Sequence, residues 1–143
     1  MRYLTRSLAA AAMVAMLAGC ASTAHLAGPS PKEQAWLNHA GEPVESFLLF
    51  GHVSGWTPVS ADKLVVYTGS REAWLVSVDA TCLNLEFANG IGLTTSMGSR
   101  VHSGFDFVRF HDGMHGQNCR ITDIRPVDQK AAREELKAAS LKS

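Results

Sequence analysis

The chain has 143 residues, 46% of them hydrophobic and 18% charged, with 13 basic residues against 13 acidic ones. That length suits one domain with a modest core and is short for two. Setting aside Arg2 and Arg6 with residues 1–19 leaves 11 basic against 13 acidic residues, a balance of −2, so no electrostatic footprint for nucleic acid exists.

Arg2 and Arg6 precede an apolar run from Leu8 to Met16, and Leu17-Ala18-Gly19-Cys20 follows it. A basic start, a short apolar stretch and small residues form the pattern of a cleaved secretory signal. A membrane span needs about 20 apolar residues, roughly twice what Leu8 to Ala18 supplies. Because it ends in cysteine, the segment resembles the bacterial lipoprotein lipobox. The resemblance implies a signal over 1–19, a diacylglycerol on the Cys20 thiol, acylation of the new amine by a chain such as palmitate, and a membrane-anchored protein outside the cytoplasm. Ala21 and Ser22 stand where an aspartate often marks inner-membrane retention, so the resemblance implies the outer membrane, facing the periplasm. Multiple acyl chains, each methylene contributing about 0.8 kcal/mol, make such an anchor stable.

Residues 20–31 are small, polar and proline-marked, which predicts a lipidated tether. A β domain with a short N-terminal helix is expected over 32–128 and a helix or tail over 129–143. Ser30-Pro31-Lys32-Glu33 has capping-box spacing with proline at the first helical position, which predicts a helix through about His39 that Gly41 stops. After Pro43 come short apolar runs rich in aromatic and β-branched residues. Strands are expected at Ser46–Phe50, Trp56–Val59, Leu64–Thr68, Ala73–Val78, Leu83–Phe87, Ile91–Thr95, Phe105–Phe110 and Cys119–Ile124. Alternation is cleanest in Ala73–Val78, whereas Phe105, Phe107, Val108 and Phe110 predict a strand buried on both sides. The loops at 60–63, 69–72 and 88–90 have hairpin lengths. The fold class is therefore mainly β, a compact antiparallel barrel or sandwich with short helices at both ends. Pro126 closes the β region and Asp128 caps the last helix, whose apolar stripe is only Ala132, Leu136 and Ala139.

With Cys20 lipidated, Cys82 and Cys119 remain as a pair in an oxidising compartment, where a disulfide is the default. A redox or metal role is the alternative, and a Cys-x-x-Cys spacing would serve it better.

His111-Asp112-Gly113-Met114-His115, with His102 upstream, is the one cluster of metal-ligand residue types. On a strand the two outer histidines stand roughly 13 Å apart, too far to share an ion, so only a folded loop would unite them. No Gly-x-Ser-x-Gly elbow is present, and Ser54 and Ser103 each precede glycine as turn residues do. Gly90-Ile91-Gly92 begins like a dinucleotide loop but has Thr95 at the third glycine position. Glu86, Asp106, Asp123 and Asp128 are scattered and read as surface charges or turn caps rather than a catalytic pair. Trp56 and Trp74 read as core residues, or else as a stacking platform for sugar or peptide. Arg125 is expected to pair with Asp123 or Asp128 where the chain leaves the sheet, or else to face a ligand.

The elements Gly55-Trp56, Leu64-Val65-Val66, Ala73-Trp74-Leu75-Val76, Cys82-x-x-Leu85, Ile91-Gly92-Leu93-Thr94 and Cys119-Arg120-Ile121, with the ending Ile124-Arg125-Pro126-Val127-Asp128, resemble a family of small uncharacterised proteobacterial lipoproteins. The resemblance implies a secreted, disulfide-bonded β domain and brings no activity or cofactor. The expectation is an envelope lipoprotein that contacts a protein or peptidoglycan without catalysis. The alternatives are a small ligand or metal held by His102, His111 and His115, and an enzyme whose site assembles only in three dimensions around Asp106, His102 or Arg125.

Overall fold

The computed structural model describes residues 28–82, 84–111, 113 and 115–142. The signal, Cys20 and most of the tether, together with Leu83, Asp112 and Met114, lie outside the described residues. Helix α1 spans Pro31–Asn38, and the Ser30 hydroxyl oxygen accepts the Glu33 N–H at 3.1 Å. Among the described residues eight strands follow: β1 (Ser46–Leu48), β2 (Gly55–Ser60), β3 (Lys63–Tyr67), β4 (Ala73–Val78), β5 (Ile91–Leu93), β6 (Arg100–His102), β7 (Phe107–His111) and β8 (Gly116–Pro126). Helix α2 (Gln129–Ser140) starts where the Asp128 carboxylate accepts the Lys130 and Ala131 N–H groups. No described helix is long and apolar enough to cross a membrane.

All strand pairs are antiparallel, and the expected mainly β architecture is present. Six strands form one sheet in the order β2-β3-β4-β8-β7-β5, curved into a half-barrel, and β1 pairs with β6 in a two-stranded sheet. The hollow of the half-barrel is filled by Leu64, Val66, Val76, Val78, Val108, Phe110, Cys119, Ile121 and Ile124, which Phe47 of β1, Val101 of β6 and Leu85 cover. A second core lies on the outer side of β2, β3 and β4, where Val59, Val65, Ala73 and Leu75 meet Trp36 of α1 and Ala132 of α2. His39, just after α1, accompanies this packing by reaching Glu135 of α2 at 2.7 Å.

One irregularity lets β8 serve the inner core along its whole length. Cys119 and Ile121 share a face by alternation, and Ile124 has the opposite parity. The register slips by one residue here, since Ser77 faces Asp123 while Val78 faces Ile121. Thr122 is the extra residue of a bulge, which returns Ile124 to the inner face. The polar groups of the bulge are occupied: the Thr122 hydroxyl donates to the Ser77 carbonyl at 3.2 Å, and the Ser103 hydroxyl donates to the Thr122 carbonyl at 2.9 Å.

Several expectations change. The described residues of the expected strand Leu83–Phe87 do not form one, because Leu85–Phe87 is a 3-10 turn entered through Asn84 at φ 66°, and this turn drops Leu85 into the core. Phe105 is exposed and precedes β7, so that strand is buried on one face only. Strand β6 was not anticipated, since Arg100-Val101-His102 is too short to show a pattern and exists because it pairs with β1. Finally, β8 runs through Pro126, beyond the expected end at Ile124, because proline is tolerated where ladder donation stops.

Candidate functional site

The residues singled out from sequence are dispersed by this fold. His102 lies on β6, His111 ends β7, and His115 sits in the connection to β8. The His111 ring packs over Gly116, where a Cβ would stand 3.2 Å from it. Among the described residues, no group of three or more His, Cys, Asp or Glu side chains is placed to hold a metal ion. Cys82 and Cys119 form a disulfide with Cα atoms 5.7 Å apart, within the distance that needs no backbone movement. Arg125 and Asp123 sit two apart on one strand and so share a face; the Arg125 Nε donates to Asp123 at 2.8 Å. Trp56 and Trp74 lie on one face of the sheet, but Val66 of β3 pairs with both, so the rings belong to strands about 10 Å apart and form no joint platform.

Asp106, expected as a surface charge or a turn cap, is the one fully buried charged residue among those described. One carboxylate oxygen accepts the Thr94 hydroxyl at 2.8 Å, the Ser96 N–H at 2.8 Å and the Ser96 hydroxyl at 2.6 Å, and the other accepts the His102 N–H at 2.8 Å. Burial pushes this carboxyl up, but the hydrogen bonds from Ser96, His102 and Thr94 outweigh it and hold the group below the ordinary aspartate range. The His102 ring is not a partner of hydrogen-bond length, with Nδ1 3.6 Å from the carboxylate. Asp106 therefore works as a clamp that gathers the ends of β5, β6 and β7 and leaves little capacity for acid or base chemistry. The local hint of this role was an aspartate set between Phe105 and Phe107.

The surface with the chemistry of a binding site lies where β1, β6 and β4 meet. Trp74 stacks on Phe47 with ring centroids 5.1 Å apart and planes 12° from parallel. Its indole N–H donates to the Thr68 hydroxyl at 3.2 Å, which donates in turn to the Glu72 carboxylate at 3.2 Å. This chain fixes the ring at the side of a cleft of about 250 Å3. Leu48 and Phe50 stand on its rim at 45% and 79% exposure. Arg100 completes the wall, its Nε donating to the Ser46 hydroxyl at 2.9 Å. Both apolar rim residues arise from the β1 segment: on β1, Phe47 points inward and Leu48 outward, and Phe50 follows the end of the strand. An oriented indole, two exposed apolar side chains and the charged groups of Arg100 and Glu72 in the lining suit an extended amphipathic partner.

A family model described as a family of unknown function, DUF6491, matches residues 3–143, and the chain belongs to that family. No curated protein and no solved structure matches the chain.

Proposed function

We propose that this DUF6491 member is a non-enzymatic contact module of the bacterial envelope, anchored by lipid at Cys20 on the periplasmic side of the outer membrane, that binds a protein or cell-wall component through the Trp74 cleft. The observation that carries the contact role is the pair Leu48 and Phe50, held in water beside an oriented tryptophan. Apolar side chains clustered around an aromatic anchor are the usual centre of an interface, and leaving them exposed has no benefit to the isolated fold. The anchor rests on Leu17-Ala18-Gly19-Cys20 and the short apolar run before it.

A photo-crosslinking phenylalanine analogue placed at Phe50 in cells tests the contact. A discrete adduct that weakens with Leu48→Ser is the expected result, either with a protein or with purified sacculi. No adduct above that of the same analogue placed at exposed Phe87 would count against the cleft. Palmitate labelling tests the anchor separately, and a Cys20→Ala chain that still takes the label would overturn it.

A further inference from the structure

The helix α2 has two flanks of opposite use. One carries Glu135 toward α1, where it meets His39 and Asn38. The other carries Lys130, Arg133 and Lys137, spaced three and four residues apart and therefore in one stripe. That stripe forms one wall of a groove of about 660 Å3, and the β3–β4 turn with Arg71 forms the other. The turn is tied across the groove by the Gln129 amide, which donates to the Ser70 carbonyl at 3.2 Å. Arg133 lies over the Tyr67 ring at 5.1 Å, which limits the directions its guanidinium takes. Among the described residues, none of these four cations is in an ion pair. Two acids share the groove, Glu134 and Asp128, the latter with one carboxylate oxygen accepting the two N–H groups of the helix start, so four cations stand against two carboxylates.

We propose that this cationic groove docks the domain on an anionic phospholipid surface. All four cations are solvent-exposed, and in water each holds a single small anion weakly. A charged bilayer meets them together and strengthens partition by about fivefold for each Lys or Arg near it, about thirtyfold for the net charge of +2 that the groove carries. The inference rests on the lipid anchor proposed above, which supplies the proximity. From Cys20 to Pro31 the chain reaches at most about 40 Å, and α1 at the end of that reach packs beside α2. Anchored in this way, the protein would present its groove to the leaflet that holds it.

Lysine acylation footprinting of the purified full-length mature protein tests this. The protein is reconstituted into vesicles of phosphatidylcholine alone or with roughly 30% phosphatidylglycerol, conditions that differ in surface charge. Lys130 and Lys137 should react at least about threefold more slowly in the anionic vesicles, while Lys63, which is paired with Glu33 and Asp62, serves as the reference. The difference should vanish in high salt and in Arg71→Glu/Arg133→Glu, a surface variant expected to fold normally. Equal rates in the two vesicle types would overturn the proposal. So would equal protection by inorganic phosphate without charged lipid, which would assign the groove to a soluble anion. The intact mass of the same preparation reports lipid on Cys20, so failure of the anchor and failure of the docking are read from different measurements.

Discussion

Strands β3 and β4 differ from β7 and β5 in what lies on the outer side of their shared sheet. The first pair has a core on each side, the half-barrel filling inward and the two helices outward, and Leu64, Val65 and Val66 are all wholly buried in consequence. On β7 only Val108 and Phe110 are buried, while Arg109 and His111 face solvent. A strand covered on both sides reads as an uninterrupted apolar run, and one covered on a single side alternates. The half without helices uses other supports: the Cys82–Cys119 bridge and the Asp106 clamp both belong to it. One half is held mainly by burial, the other by a covalent link and buried hydrogen bonds.

The largest effect that would break this comparison is loss of the bridge. It spans 37 residues, and changing Cys82 and Cys119 to alanine should lower stability by about 4 kcal/mol in the chain-entropy picture, measured by denaturant unfolding. Hydrogen exchange should then rise more in β5 and β7 than in β3; a uniform rise would mean the two halves unfold as one. Leu75→Ala, on the helix side, should cost about 3 kcal/mol through the cavity it leaves, with α1 and α2 loosening first.

Asp106→Ala strands the Ser96 and His102 N–H groups and should cost about 2 kcal/mol. The sign with pH follows from its lowered pKa in the fold. The contribution of the carboxylate is fully present above the unfolded value of about 3.9 and is lost as pH falls through the folded one. Acid unfolding of the Ala variant should therefore show a shallower pH dependence than the parent below about pH 4, and unchanged slopes would show that Asp106 is not the acid-sensitive clamp. Arg125→Ala removes a half-exposed pair and should change stability by less than about 1 kcal/mol. Arg109→Ser, on the uncovered face, should fall within about 0.5 kcal/mol, and a much larger loss would mean that this face is covered in solution.

Much of the covered half was legible in sequence. Leu64-Val65-Val66 and Ala73–Val78 announce themselves by run and alternation, and Ser30 and Asp128 mark both helix starts because capping depends on neighbours within a turn. The uncovered half is less legible. Leu85–Phe87 is apolar enough for a strand and is bent instead by a left-handed Asn84, while Arg100–His102 has no pattern of its own. Of the candidate site, Trp74 stands out in the sequence, but its partners Phe47, Leu48, Phe50, Thr68, Glu72 and Arg100 do not, since they come from three separate stretches of chain.

By itself the amino-acid sequence determined the local matters: where helices start, which runs alternate, which cysteines remain to pair, and the basic, apolar and cysteine-ended pattern of the N-terminus. Each is set by residues within a few positions of one another, where periodicity and hydrogen-bonding chemistry act without long-range help. Only the tertiary structure decided the extra residue at Thr122 that returns Ile124 to the core, the burial of Asp106 among donors from β5 to β6, and the meeting of Arg71 with the flank of α2. Those depend on contacts between distant segments, whose loop-closure cost is repaid only when the whole sheet has formed.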